Sequence, residues 1–367
     1  MRNICIVTPV PPRVGGIGVL GVLLADLLRS EGVPVTVVPS IPEIPKLLEI
    51  LPVVRPLVRY SIFLYRLLRD VKEGDVIHHL TASGRFFYLS APVIWIGHWR
   101  KCRVIINYHG ANAEQFWRES AKWAVPLLKK ADVSMVASRY IGNILAKYGI
   151  DSVIIPNWTD ISRFSFRERL HFGPNLLYSR EIDPKYHVEG VLNAFRHIQE
   201  RYPQATLGIV GTGSELSRIK CMAADMGLRS VTFYGRVPHR ELPAIFDQYD
   251  FLLNCTLIDN YPNAMLEATC RGLINVAYGS GGIPYMIRNG ETGILVPIKD
   301  DLALAEGVMR MIENQDSARS MALRARQWAV EQHAWPKLFS ALMCAYGIDQ
   351  ASQPEARPAN ELSPPRP

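Results

Sequence analysis

The chain has no long hydrophobic run. Its longest apolar stretch, Phe86 to Gly97, covers 12 residues before His98 and Trp99-Arg100-Lys101, well short of the roughly 18 residues a membrane-spanning helix needs. It also lacks paired cysteines. The six present (Cys5, Cys102, Cys221, Cys255, Cys270, Cys344) are scattered, with no Cys-x-x-Cys and no histidine clustered beside them. That argues against a disulfide framework and against structural or catalytic zinc, and it suits a reducing compartment. The opening residues MRNICIVTPV carry no basic region followed by an apolar core and a small-residue cleavage site. They are read as a first strand, with a cytoplasmic location expected. Charge is modest, +7 overall, and no recognition motif accompanies it, so nucleic-acid binding is not expected.

What is present is a regular alternation. The 367 residues, 48% of them hydrophobic, suffice for two α/β domains and exceed one compact core. Short apolar β-type runs alternate with helical patterns, which predicts parallel sheets with crossover helices. The candidate strands in the first half are Ile4–Thr8, Val33–Val38, Asp75–Leu80, Val104–Tyr108, Val133–Ala137 and Val153–Ile155. The pattern restarts with Leu176–Ser179, Thr206–Val210, Val231–Tyr234, Phe251–Asn254, Ile274–Ala277 and Gly293–Val296. Helices are expected over about Ile17–Ser30, Glu114–Lys130 and Ser138–Tyr148, and consecutively from about Leu302 to Tyr346. The expected division is residues 1–165, 166–330, a helix at 331–348 packing back on the first domain, and a disordered Pro-rich tail at 349–367.

Between Lys46 and Lys72, six basic residues face two acidic ones, Glu49 and Asp70. Arg55, Arg59, Arg66 and Arg69 fall at helical spacings, with Leu57, Ile62, Phe63, Leu64 and Leu67 on the other side. Two readings stand: a basic amphipathic surface against an anionic membrane, or a core helix with a solvated basic face.

Gly16-Ile17-Gly18-Val19-Leu20-Gly21 spells G-x-G-x-x-G, but its context differs from a dinucleotide site. That site needs its first glycine directly after the strand. Here Pro9 to Val14 intervene, and the second strand ends Val37-Val38-Pro39-Ser40 with no acid for a ribose. Gly15 and Gly16 remain candidates for backbone contact to a phosphate, or for a tight loop with positive φ.

The strongest chemical signal is Asp259-Asn260-Tyr261-Pro262-Asn263-Ala264-Met265-Leu266-Glu267. Two carboxylates, one in a loop and one on a helix that Asn263 is placed to cap, can accept vicinal hydroxyls of a sugar and a ribose. The competing account of Glu267 is a helix-surface pair with Arg271 at i+4. After the next strand comes Gly279-Ser280-Gly281-Gly282-Ile283-Pro284, a strand–loop–helix edge suited to anions. Arg180 and Lys185 flank a turn after the first strand of the second half. Two fixed cations there can neutralise a departing diphosphate, or else form surface pairs with Glu181 and Asp183.

The order of these pieces resembles the retaining glycosyltransferases of family four, which have the GT-B fold of two Rossmann-like domains facing across a cleft. The matching elements are Gly15-Gly16, Pro156-Asn157-Trp158-Thr159-Asp160, Arg180 with Lys185, and Val210-Gly211-Thr212-Gly213. They continue with Asp259 and Glu267, Gly281-Gly282-Ile283-Pro284, and Asn289-Gly290-Glu291-Thr292-Gly293-Ile294-Leu295-Val296. The likeness is weak from about Pro39 to Phe116. By this resemblance Arg180 and Lys185 bind the donor diphosphate, Glu267 the nucleotide ribose, and Asp259 the donor sugar. His109, in Asn107-Tyr108-His109-Gly110 at a strand end, corresponds to the histidine near the transferred sugar. Read without the family it is more simply structural; His78 and His79 are further strand-end candidates. Gly15, Gly16, Gly211, Tyr261, Pro262, Asn263, Gly281, Gly282 and Ile283 complete the expected donor site.

Three positions depart from the family pattern: Asp259 where Glu is usual, Tyr285 where an acid is common, and Tyr186 where glycine follows the lysine. The expected activity is transfer of a hexose-type sugar from a UDP- or GDP-sugar, with retention and without a metal; no Asp-x-Asp occurs. No cofactor is expected. The acceptor is expected to be a glycan or polyprenyl-linked glycan in bacterial envelope or exopolysaccharide synthesis, with peripheral membrane contact through 46–72. A non-catalytic nucleotide-sugar-binding protein and a sugar-nucleotide epimerase are the alternatives.

Overall fold

The computed structural model describes residues 2–10, 16–52, 54–159 and 164–348. Gly15, Asp160 and the 349–367 tail lie outside them. The chain folds into two six-stranded sheets, both wholly parallel. The first contains β1 (Ile4–Thr8), β2 (Val35–Pro39), β3 (Val76–Thr81), β4 (Arg103–Tyr108), β5 (Val133–Val136) and β6 (Val153–Ile154), in spatial order β2-β1-β3-β4-β5-β6. The second contains β7 (Asn175–Ser179), β8 (Thr206–Val210), β9 (Val231–Gly235), β10 (Phe251–Asn254), β11 (Ile274–Tyr278) and β12 (Ile294–Val296), in order β12-β11-β10-β7-β8-β9.

Runs such as Ile4-Cys5-Ile6-Val7, buried at every position, are what a parallel strand covered on both faces requires. On one face of the first sheet, the helices Val54–Asp70, Ser90–Trp99, Ala113–Leu128 and Arg139–Ala146 close over Val7, Ile77, Val104 and Ile106. On the other, Gly16–Ser30 and the final helix, Trp335–Tyr346, cover Ile4, Ile6, Val76 and Ile105. The final helix is pinned to this sheet although it follows the second domain. Tyr346 meets His78 Nδ1 at 2.7 Å, and Arg103 Nε donates to the Ala345 carbonyl at 2.8 Å.

In the second sheet, Val188–Arg201, Leu216–Asp225 and Asp301–Glu313 pack on one face, while Leu242–Phe246, Asn263–Arg271 and part of Gln315–His333 pack on the other. Strand order reverses between β1 and β3 and again between β7 and β10; loops leaving the carboxyl ends of such strands form ligand crevices. Ser138, just after β5, hydrogen-bonds Asn260, in the loop after β10. This contact sets the carboxyl edges of the two sheets against each other.

The 86–97 run, too short to span a bilayer as expected, forms the short helices Arg85–Tyr88 and Ser90–Trp99. One sequence reading needs correction. In the basic segment only Arg69 of the four arginines is exposed. Phe63 and Leu67 are buried as expected, but Arg55, Arg59 and Arg66 are half-buried, and Arg59 pairs with Glu49 at 3.2 Å. Leu57, expected on the inner side, is exposed. Among the described residues no helix is long and apolar enough to cross a membrane.

Candidate active site

Arg180 leaves the end of β7 and forms an ion pair with Asp259 at 2.6 Å. Asp259 is buried and its second oxygen accepts from the Asn260 backbone at 2.8 Å. Burial opposes the guanidinium charge, but Asp259 and the neighbouring Tyr186 outweigh it and raise the Arg180 pKa. Arg180 stacks over the Tyr186 ring at 4.3 Å, and the Lys185 ammonium lies over the same ring at 4.7 Å. Tyr186 is therefore a shared platform that holds two cations together, a role its departure from the family glycine did not reveal. Among the described residues neither cation forms an ion pair with Glu181 or Asp183; Asp183 accepts from the Ser214 backbone and hydroxyl at 3.0 and 2.8 Å, which lowers its pKa.

Two glycine turns enclose this cluster. Gly211, at φ +141°, lies so close to the Arg180 carbonyl that a Cβ would collide with it. Gly281, at φ +53°, is pressed in the same way against Asp259, and the Gly282 N–H donates to the Asp259 carbonyl at 2.9 Å. Ile283 is buried, and Ile283–Tyr285 forms a 3-10 turn with Pro284 inside it. The helix expected at this strand–loop–helix edge is only this turn.

Glu267 occupies a separate position. Its carboxylate accepts from His239 Nε2 at 2.9 Å, and it is buried on the Asn263–Arg271 helix. The i+4 pairing with Arg271 does not form; Arg271 Nε donates to Asp247 at 2.7 Å. Among the described residues no hydrogen bond or ion pair joins Glu267 to the Arg180 cluster. His239 lies 28 positions upstream, and nothing in the sequence pattern marks it.

Tyr261 and Asn263 are used differently from the expectation. Asn157 Nδ2 donates to the Tyr261 carbonyl at 3.0 Å and to Asn263 Oδ1 at 2.9 Å. Asn263 makes no cap, because the capping position is Pro262, which has no side-chain donor or acceptor. The Tyr261 hydroxyl meets His333 Nε2 at 2.8 Å. These side chains join the two domains. Tyr285 does likewise, its hydroxyl accepting from Asn143 at 3.3 Å.

On the opposite edge, the His109 backbone is tied to the Thr81 carbonyl at 2.8 Å. Its Nε2 is buried without a partner among the described residues, and burial lowers its pKa to about 4. It is thus a neutral imidazole with one nitrogen uncommitted. His78 differs: Asn107 donates to its Nε2 at 3.0 Å, and its Nδ1 bonds Tyr346. Both of its ring nitrogens are therefore engaged. His79 Nδ1 donates to the Val7 carbonyl at 3.2 Å. Gly16 opens its helix in open space; the close packing belongs to Gly21, against Thr8.

Among the described residues no group of three or more His, Cys, Asp and Glu is placed to hold a metal ion. A cavity of about 590 Å³ lies between the domains, lined by Ser138, Arg139, Tyr261, Tyr285, Arg288 and Lys337 among others; it does not include the Arg180 cluster.

Comparison with known proteins bears on the family and the fold. Residues 14–163 match the model described as Glycosyltransferase Family 4, and 164–328 match Glycosyl transferases group 1. A GDP-mannose-dependent alpha-(1-6)-phosphatidylinositol monomannoside mannosyltransferase of Mycolicibacterium smegmatis is 27% identical over 255 residues, covering 64% of this chain and 67% of that protein. Phosphatidyl-myo-inositol mannosyltransferase of Mycobacterium tuberculosis is 28% identical over 208 residues, 54% of each chain. For most of these relatives the match spans about half their length. Among solved structures, Anabaena HepE in complex with UDP superimposes with a TM-score of 0.74 at 16% identity, covering 95% of this chain and all of that one. Sucrose-phosphate synthase of Thermosynechococcus elongatus gives 0.72 at 19%, covering 94% and 97%. With the two family models adjoining across nearly the whole chain, and the double-sheet fold shared with these structures, the chain belongs to glycosyltransferase family four, with the GT-B fold.

Proposed function

We propose that this chain moves a sugar from a UDP- or GDP-sugar to a lipid-linked or polysaccharide acceptor, with retention of anomeric configuration and without a metal. The observation that carries the reading is the pair of cations on Tyr186, fixed at the switch point of the second sheet beside a buried carboxylate. A diphosphate binding there competes with Asp259 for Arg180 and gains a second cation in Lys185. As the bond from the anomeric carbon to the diphosphate breaks, the growing negative charge meets cations already in place, so little reorganisation is needed. Asp259, released from Arg180, then has a carboxylate oxygen available to accept a sugar hydroxyl. Glu267, oriented by His239, is suited to a ribose diol one subsite away. His109, neutral and with Nε2 uncommitted, is suited to a hydroxyl of the transferred sugar. The acceptor oxygen forms the new bond to the anomeric carbon, and its proton leaves on the diphosphate.

The relatives' GDP-mannose dependence and phosphatidylinositol-based substrates favour a lipid-linked acceptor, with the enzyme working at a membrane face. The Arg139–Arg288–Lys337 cavity, outside the cluster, has no part in this assignment.

A thermal-shift panel of UDP, GDP and their sugar conjugates tests the reading. A nucleotide at a hundredfold over its Kd should add about 2.7 kcal/mol of stability, and Arg180→Ala or Glu267→Ala should remove that gain. Turnover with a glycolipid acceptor, followed by NMR of the product anomer, tests retention. Binding with only slow donor hydrolysis would instead indicate a non-catalytic binder, and a product formed without acceptor an epimerase.

A further inference from the structure

The exposed large apolar side chains are unevenly distributed. Between residues 50 and 99 lie Ile50, Leu51, Val54, Leu57, Tyr60, Tyr65, Leu68, Phe86, Tyr88, Trp95 and Trp99, more than half of those exposed among the described residues. Single exposed apolar residues need no explanation, but a concentration of them does. On the Val54–Asp70 helix, Leu57, Tyr65 and Leu68 fall within one outward sector, opposite the buried Phe63 and Leu67. On Ser90–Trp99, Trp95 and Trp99 point outward, while Val93, Ile94 and Gly97 face the sheet. Exposure is 65% for Leu57, 62% for Tyr65, 63% for Trp95 and 70% for Trp99.

The two helices present one surface. Both pack on the same face of the first sheet, with Phe63, Leu67, Val93 and Ile94 in a common core. Arg100, just past Trp99, donates to the Leu68 carbonyl at 2.9 Å, which brings the two C-terminal ends together. Cations lie beside the aromatic rings: Arg69 over Tyr65 at 5.7 Å and Arg100 over Trp99 at 5.2 Å.

Charge identifies the occupant. Residues 46–101 hold nine Lys and Arg against four Asp and Glu, a net of +5 within a chain of +7. All four acids are already engaged: Glu49 with Arg59, Asp70 with Arg69, Glu73 with Lys101, and Asp75 with Asn3 and the Lys72 backbone. An apolar, Trp- and Tyr-bearing face rimmed by excess cations fits the headgroup boundary of an anionic bilayer, where aromatic rings settle and basic residues meet lipid phosphates.

We propose that the outward face of the Val54–Asp70 and Ser90–Trp99 helices is a docking surface for an anionic lipid bilayer, with Leu57, Tyr65, Leu68, Trp95 and Trp99 entering the interface. The insertion is apolar and aromatic, and the arginine stripe read from the sequence supplies only the rim. This surface does not depend on the transferase assignment.

The test is co-sedimentation of the full chain, without nucleotide or acceptor, with vesicles of phosphatidylcholine alone or with added phosphatidylglycerol. The wild-type chain should partition onto the anionic vesicles and be released by salt. Trp95→Ser/Trp99→Ser and Leu57→Ser/Tyr65→Ser should each lower the partition coefficient by about tenfold or more, while Tm and the nucleotide thermal shift stay at wild-type values. Wild-type chain left in the supernatant overturns the proposal, as do variants that sediment like wild type. So does a wild-type dimer by light scattering that these substitutions dissolve, since a second copy would then be the occupant.

Discussion

Tyr186 shows how one side chain can organise two others. Its ring supports Arg180 at 4.3 Å and Lys185 at 4.7 Å. A cation over an aromatic face is stabilised by about 0.5–1 kcal/mol at a partly exposed site. The larger effect is positional, because long basic side chains lose rotamer freedom before the ligand arrives rather than on binding. Tyr186→Gly should therefore weaken binding of UDP or GDP by roughly five- to thirtyfold, the equivalent of about 1–2 kcal/mol from two such contacts. Tyr186→Phe, which keeps the ring, should stay near wild type. Titration calorimetry separates the two, and equal losses in both variants would show that the platform is not the ring face.

At the scale of elements, the strands were legible and the contacts between elements were not. Ile4–Thr8, Thr206–Val210 and Phe251–Asn254 form at the expected bounds because a parallel strand buried on both faces is a short unbroken apolar run. The Ser90–Trp99 helix escaped because it is apolar nearly all round, which leaves no 3.6-residue period to detect. Glu267 on its helix was legible as a candidate; its partner was not, since His239 arrives from another loop while Arg271 turns to Asp247. Leu57 alone of the apolar residues expected on the inner side is exposed, on a helix whose buried side chains are Phe63 and Leu67. The final helix tests such a contact directly. The neutral His78 accepts from Asn107 at Nε2, so its Nδ1–H donates to Tyr346 in a fully buried bond. Tyr346→Phe strands that donor, and urea denaturation should show a loss of about 1–3 kcal/mol. A variant as stable as wild type would mean the helix is held by packing alone.

For the whole molecule, the two domains meet at a hub. His333, at the end of the Gln315–His333 helix, donates from Nδ1 to the Asn157 carbonyl at 2.9 Å and accepts at Nε2 from Tyr261 at 2.8 Å. Asn157 in turn holds the Tyr261 carbonyl and Asn263. One neutral imidazole thus ties the inter-domain segment, the Asp259–Asn263 loop and the C-terminal helices. Burial lowers the pKa of His333 to about 4, and lowers His78 to about 3 and His79 to about 4. In the unfolded chain each titrates near 6.5. Between these values the unfolded state binds protons that the native state refuses, so stability is full above about pH 6.5 and falls as pH drops toward 4. From pH 7 to 5 each histidine should cost at most about 2 kcal/mol. Ordinary carboxylates, titrating near 4, contribute little in that interval. Calorimetry should therefore show Tm declining steadily between pH 7 and 5, and His333→Gln should reduce the slope while lowering Tm at pH 7. A Tm that is flat across this window would mean the buried imidazoles take up protons in the native state, and the hub would then tolerate charge.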